Sequence, residues 1–147
     1  MKLSARSRYG ARFLLDLAVT DGGRAVSLKD VAARQGISEK YLWQVVNPLR
    51  AAGLVEAVRG ARGGYRLAVE PGKITVKTLV EVLDGRVVAT GAGDEPVGRD
   101  RHAAGVMREV WDAVGEATGR AMAGITLHDL AERHRARTAS PAMTYDI

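Results

Sequence analysis

The sequence predicts a mainly α-helical fold that carries one small β-hairpin and a long, separately striped helix. Three observations carry this. Two short amphipathic segments meet at the tight turn Gln35-Gly36-Ile37-Ser38; the stretch VRGARGGYRL at 58–67 sets Gly and Arg between strand-like flanks; and apolar residues recur at helical spacing from Met107 to Ala121. Hydrophobic residues form 46% of the chain, yet it holds only 1 Phe, 2 Trp and 4 Tyr, so Leu, Val and Ala must fill the core. That composition suits helices.

Residues 5–21 place Gly10, Phe13, Leu14, Leu17 and Ala18 on one buried helical face, and Asp21-Gly22-Gly23 ends the run. Ser27 is positioned to cap a second helix with Leu28, Val31 and Ala32 inward, stopping at Gly36. Ser38 caps a third, whose apolar side is read as Leu42, Val45, Leu49 and Ala52. Its opposite face carries Lys40, Trp43, Gln44, Asn47 and Arg50. Pro48 is a local misfit that removes one backbone hydrogen bond and is expected to bend the last turns. Two helices joined by a tight glycine turn, the second presenting long polar side chains, form the helix-turn-helix layout. A helix fits the major groove of DNA only if one stripe anchors it and the other offers groups to base edges and phosphates.

Residues 54–58 and 65–68 read as two strands around the glycine-rich turn 59–64, which carries Arg59 and Arg62. Glycine supplies the positive φ angles of a sharp turn and keeps the backbone slim, while arginine can enter a minor groove or clamp phosphate. A phosphate-binding loop would need Gly-Lys-Ser/Thr ahead of a helix, which is missing, and a disordered linker would lack the flanking strands. A hairpin following a recognition helix is a wing, so the expected architecture is a winged helix-turn-helix.

Past the turn Glu70-Pro71-Gly72, Thr75 caps a short helix with Val76, Leu79, Val80 and Leu83. Residues 84–102 read as a loop. Met107, Val110, Trp111, Val114, Ala117 and Ala121 then line one stripe of a long helix, and Thr126 caps a last helix with Leu127, Leu130 and Ala131. The stripe has two readings, ordinary core or pairing with a second copy. The first half already forms a nearly self-sufficient core, which favours the second, and Gly115 and Gly119 would let another backbone approach. The expected division is a DNA-binding region at 1–72, loop and dimerisation helices at 73–134, and a flexible tail at 135–147.

Charge supports this assignment. Net charge is +5, with 12 Lys and Arg against 6 Asp and Glu in residues 1–72, but 10 against 11 in residues 73–147. The basic half is the one expected to face a polyanion. Cysteine is absent, which excludes disulfides, thiolate zinc sites, a thiol nucleophile and any cluster held by this chain's own thiolates. No catalytic arrangement of Ser, His and Asp stands out, so an enzyme is not expected. Asp94, Glu95 and His102 are read as charges in a solvated loop rather than metal ligands, and His128 and His134 as surface or packing residues. Without an apolar run long enough for a membrane helix, or an apolar leader, a cytoplasmic protein is expected.

The segments MKLSARSRYGARFLLDLA, SLKDVAARQGISEKYLWQVVNPLRAAGLVEAVRGARGGYRL and ITLHDLAE together resemble the bacterial Rrf-type winged-helix transcriptional regulators, the family of IscR, NsrR and CymR. The resemblance covers residues 1–134 and is most specific over 36–67. It implies a homodimer crossing through the helix near 103–122, with Ser38, Lys40, Tyr41 and Gln44 in the major groove and Arg59 in the minor groove. Trp43 stands where close relatives carry glutamate, which changes the expected base preference, because an indole accepts no hydrogen bond from cytosine.

Many members hold an iron–sulfur cluster through three cysteines before the dimer helix. Here that loop has Ala92, Gly98 and Gly105, so a cluster sensor of that kind is not expected, and no cofactor is. The cysteine metabolism repressor also does without a cluster and looks especially similar over 38–67. The resemblance therefore implies a homodimeric, sequence-specific DNA-binding repressor, with cysteine or sulfur metabolism as a candidate circuit. The family also suggests pairing with cysteine synthase, whose cleft accepts a C-terminal isoleucine. The chain's ending, with Tyr145, Asp146 and Ile147, makes a second reading: a protein-interaction regulator that acts on such an enzyme through its tail.

Overall fold

Serine and threonine set where most of the helices begin. In the computed structural model, which describes residues 3–86 and 98–140, helix α1 (Ala5–Val19) is capped by Ser4, whose Oγ accepts from the Ser7 N–H at 3.1 Å. Ser27 and Ser38 cap α2 (Leu28–Gln35) and α3 (Glu39–Ala51) in the same way, each accepting from the third residue on at 3.1 Å. Such caps satisfy donors that a helix start leaves unpaired, for about 1 kcal/mol each. Gly36 closes α2 in the left-handed conformation, φ 66, the region that a side chain strains, and so turns the chain directly into α3.

After α3 the chain forms a two-stranded antiparallel hairpin of β1 (Val55–Val58) and β2 (Gly64–Leu67), with Val55 opposite Leu67 and Val58 opposite Gly64. Val26 adds a one-residue third rung, exchanging N–H···O bonds of 2.8 Å in both directions with Tyr65. Helix α4 (Val76–Asp84) follows a short 3-10 turn, α5 (Arg101–Ala123) is capped by Asp100, and α6 (Leu127–Ala139) opens with a reciprocal capping box between Thr126 and Asp129.

One core gathers these elements. Phe13, Leu14, Val31, Leu42, Val45, Val46, Leu49 and Ile74 are fully buried. Each buried Val, Leu or Phe stabilises the fold by about 1.5–3 kcal/mol relative to exposure. Gly10 lets α4 close on α1, since a Cβ there would lie 2.3 Å from Leu83 Cδ1. Met122, Leu127 and Ala131 join the same cluster, so the packing runs on across the boundary expected at residue 72.

Four details depart from the sequence expectations. Val46, not Ala52, completes the buried side of α3; Ala52 is exposed because it lies just past the last helical residue. Residues 135–139, read as the start of the tail, continue α6, and Arg135 Nη2 donates to the Ala18 carbonyl at 3.1 Å, fastening α6 to the end of α1. Gly115 and Gly119 are buried, and a Cβ added at Gly119 would lie 3.8 Å from Lys77 Cε, so at Gly119 the close neighbour is α4 of the same chain. The loop read as 84–102 ends earlier, since α5 starts at Arg101; Ala92, Asp94 and Glu95 lie outside the described residues, as do Tyr145, Asp146 and Ile147.

Candidate nucleic-acid interface

The exposed face of α3 is built by periodicity, and an ion pair joins the two helices that support it. On α3, Leu42, Val45, Val46 and Leu49 point into the core, which turns Lys40, Trp43, Gln44 and Arg50 to solvent and leaves Asn47 half-buried. Glu39 in the first turn and Arg50 in the last match the helix dipole. Asp16 of α1, almost fully buried, accepts from Arg34 Nε at 3.0 Å, Arg34 Nη2 at 2.6 Å and Gln35 Nε2 at 3.3 Å. The hydrogen bond to Asp16 raises the Arg34 pKa above its ordinary value, although burial acts against it. This bidentate grip ties α2 to α1 and so sets the platform on which α3 stands.

Two of the expected contact residues have structural duties as well. The Ser38 oxygen is the α3 cap, accepting from the Tyr41 N–H. The Tyr41 ring packs edge-on against Tyr9, centroids 5.7 Å apart at 81°, and lies half-buried against the core. Trp43 is therefore the one freely presented ring of α3, with a relative exposure of 53%.

In the wing, Gly60 (φ 111) and Gly64 (φ 150) take positive φ, and the Gly63 N–H donates to the Gly60 carbonyl at 2.9 Å. Any side chain at Gly64 would put its Cβ 2.3 Å from the Val26 carbonyl oxygen. The turn holds Arg59 and Arg62 in solvent. Arg66 is bound across the hairpin to Glu56 at 2.5 Å, whereas among the described residues Lys40, Arg50, Arg59 and Arg62 form no ion pair. Unneutralised cations beside an exposed polar helix face suit a polyanion.

Sequence reading missed Arg24. With Arg12 and Arg62 it lines an open cleft of about 1470 Å³ between the end of α1, the start of α2 and the wing. Its position just after Gly22-Gly23 gave little sign of this, because the Val26–Tyr65 bridge that sets this segment beside the wing joins residues distant in sequence. At the other end of α1, Asp84 accepts from the Ser4 N–H at 3.2 Å, from the Ser4 hydroxyl, and from the Ser7 hydroxyl at 2.7 Å. Burial pushes the Asp84 carboxyl up, but the hydrogen bonds from Ser4 and Ser7 and the charge of Arg6 outweigh it and hold its pKa below the ordinary value.

On α5, Val106, Met107, Val110 and Val114 are exposed, as are Ala117 and Ala121, and Trp111 is half-buried. Apart from Trp111, the expected dimerisation stripe is thus uncovered within the single chain. No helix among the described residues is long and apolar enough to cross a membrane. His102, His128 and His134 are all exposed.

The fold and this face define a winged helix-turn-helix regulator. The family model described as "Rrf2: Iron-dependent Transcriptional regulator" matches residues 3–133, and the chain belongs to that family of transcriptional regulators. It is 39% identical over 133 residues to the transcriptional regulator CymR of Bacillus subtilis, covering 89% of this chain and 90% of that protein. It is 40% identical over 130 residues to Protein rrf2 of Nitratidesulfovibrio vulgaris, covering 88% and 87%. Among solved structures, B. subtilis CymR, described as the global cysteine regulator, superposes with a TM-score of 0.77 at 38% identity, over 90% of this chain and 98% of that one.

The iron cofactor that the family description implies cannot be held here as a cluster on this chain's own thiolates. The chain has 0 Cys, and among the described residues no group of three or more His, Asp or Glu is gathered where it could hold a metal ion.

Proposed function

We propose that this chain is a homodimeric, sequence-specific DNA-binding repressor that works without an iron–sulfur cluster. The observation that carries the reading is the shared exposure of the α3 face (Lys40, Trp43, Gln44) and the unpaired wing arginines Arg59 and Arg62. A helix in the major groove, flanked by an arginine wing on the minor groove or backbone, is the docking that such a face allows. Dimerisation through α5 would cover its apolar stripe and space two recognition helices about one DNA turn apart, or a small multiple of it, on a near-palindromic site. Ser38, Tyr41, Asn47 and Arg50 complete the proposed contact set. Kinship with the cysteine regulator CymR supports a role in cysteine or sulfur metabolism, and the cytoplasm is the compartment that such a role requires.

The test is affinity selection of genomic fragments by the purified, metal-free protein at two salt concentrations. Enrichment of a near-palindromic site supports the reading, and genes beside that site name the circuit. Binding that is blind to sequence would overturn cofactor-independent recognition. A second reading is capture of a metabolic enzyme such as cysteine synthase through Tyr145, Asp146 and Ile147. It predicts that deleting residues 143–147 abolishes regulation while leaving DNA binding intact.

A further inference from the structure

An indole half in water on an otherwise polar helix face needs a reason. Of the six large apolar side chains exposed among the described residues, four lie on α5 (Val106, Met107, Val110, Val114) and one, Leu3, near the N-terminus. Trp43 is the sixth and belongs to neither group. Its neighbours at one helical turn are Glu39, Lys40 and Asn47, with Val46 turned into the core, and Gln44 adjoins it, so on α3 no exposed apolar patch extends around it for a protein partner to cover. The core claims the other ring of the helix, since Tyr41 packs on Tyr9. Trp43 is the fifth residue of α3, in the N-terminal half, which is the part of a recognition helix that meets base edges; Arg50 in the last turn lies where phosphates run.

The chemistry of indole narrows what it can read. Its single N–H donates and nothing on the ring accepts, so it cannot pair with the amino group of cytosine or adenine. Its flat face is apolar, and in the major groove only thymine offers an apolar group, the C5-methyl.

We propose that Trp43 is a specificity-determining residue that seats its ring on a thymine methyl in each half-site, selecting thymine over cytosine there. The proposal rests on the DNA-binding reading above. Burial of one methyl group sets the scale, about fourfold in affinity per contact.

The experiment takes the selected site and replaces each thymine in turn with deoxyuridine, which removes the methyl and keeps every hydrogen-bonding group. Wild type is expected to lose about fourfold at one symmetry-related position per half-site. W43F should keep that sensitivity, W43A should bind with none, and W43E should shift the preferred base there to cytosine, whose amino group a carboxylate accepts. Circular dichroism of each variant confirms that α3 still forms, and the deoxyuridine series on wild type needs no variant at all. Specific binding by wild type that is indifferent to deoxyuridine at every position would overturn the Trp43 assignment while leaving the DNA-binding reading in place. Absence of any selected site would overturn both.

Discussion

Arg34 grips Asp16 through two parallel N–H···O bonds, with the carboxylate nearly buried and the guanidinium half in water: relative side-chain exposures are 7% and 50%. That asymmetry predicts unequal costs. Arg34→Ala strips a buried carboxylate of its main partners and leaves only the Gln35 bond, for a loss of about 3 kcal/mol. Asp16→Asn leaves a guanidinium that water can reach and should cost about 1–2 kcal/mol. Urea denaturation with unchanged m-values measures both; equal losses would mean that burial of the carboxylate is not what matters.

Gly64→Ala tests the wing. The new Cβ would press on the Val26 carbonyl, and the φ of 150 is one that alanine rarely adopts. The Val26–Tyr65 rung should break, with a stability loss of about 2 kcal/mol or more. DNA affinity should fall further than stability accounts for, because Arg59 and Arg62 hang from this turn. Binding titrations at a temperature where the variant is fully folded separate the two effects.

The wing and the helix-turn-helix were legible because their signals are local. Serine and threonine caps, the glycine at 36 and the strand-like flanks of the glycine-rich turn at 59–64 each act over a few residues, and every cap read from the sequence is present. What could not be read depends on contacts distant in sequence. Arg135 extends α6 by reaching a carbonyl 117 residues away, and Ser4 and Ser7 find Asp84 across about 80. Gly115 and Gly119 showed small residues at helical spacing, and that pattern does not say whether the approaching backbone belongs to the same chain. The α5 stripe was visible because it obeys the helical repeat. Its partner is not encoded in that repeat.

The Asp84 clamp predicts how stability depends on pH. Its folded pKa lies below that of the unfolded chain, so the contribution is fully present above about pH 4 and is lost as pH falls through the lower, folded value. Asp84→Asn should therefore be less stable than wild type at pH 7 and should lose less on acidification from pH 5 to pH 2. Thermal melts across that range check the slope. Parallel curves for the two proteins would mean that the clamp contributes nothing through its charge.

Salt dependence distinguishes the wing arginines from the base-reading face. If Arg59 or Arg62 neutralises a phosphate, its replacement by alanine should flatten the slope of log affinity against log salt by about 1 per contact in each half-site. Gln44→Ala should leave that slope unchanged and instead relax discrimination among bases by about 1–3 kcal/mol. Titrations of one selected site and one scrambled site at several salt concentrations give both numbers. An Arg59→Ala variant with wild-type affinity and slope would remove Arg59 from the interface.

The α5 stripe gives the last prediction. Val110 and Val114 lie one turn apart, with exposures of 44% and 47%, and neither is in the core of its own chain. Glutamate at both positions should thus cost the single chain little, within about 0.5 kcal/mol per site, as surface changes do. In a dimer paired along α5 the same change would bury carboxylates against carboxylates across the twofold axis, at a cost of several kcal/mol. Val110→Glu with Val114→Glu should therefore give a folded monomer by sedimentation, with the helical content of wild type. Its affinity for a near-palindromic site should drop steeply, while affinity for an isolated half-site, where one recognition helix acts alone, should stay close to that of wild type. If the doubly substituted protein still sediments as a dimer, the two copies meet through some other surface, and the stripe needs a different occupant.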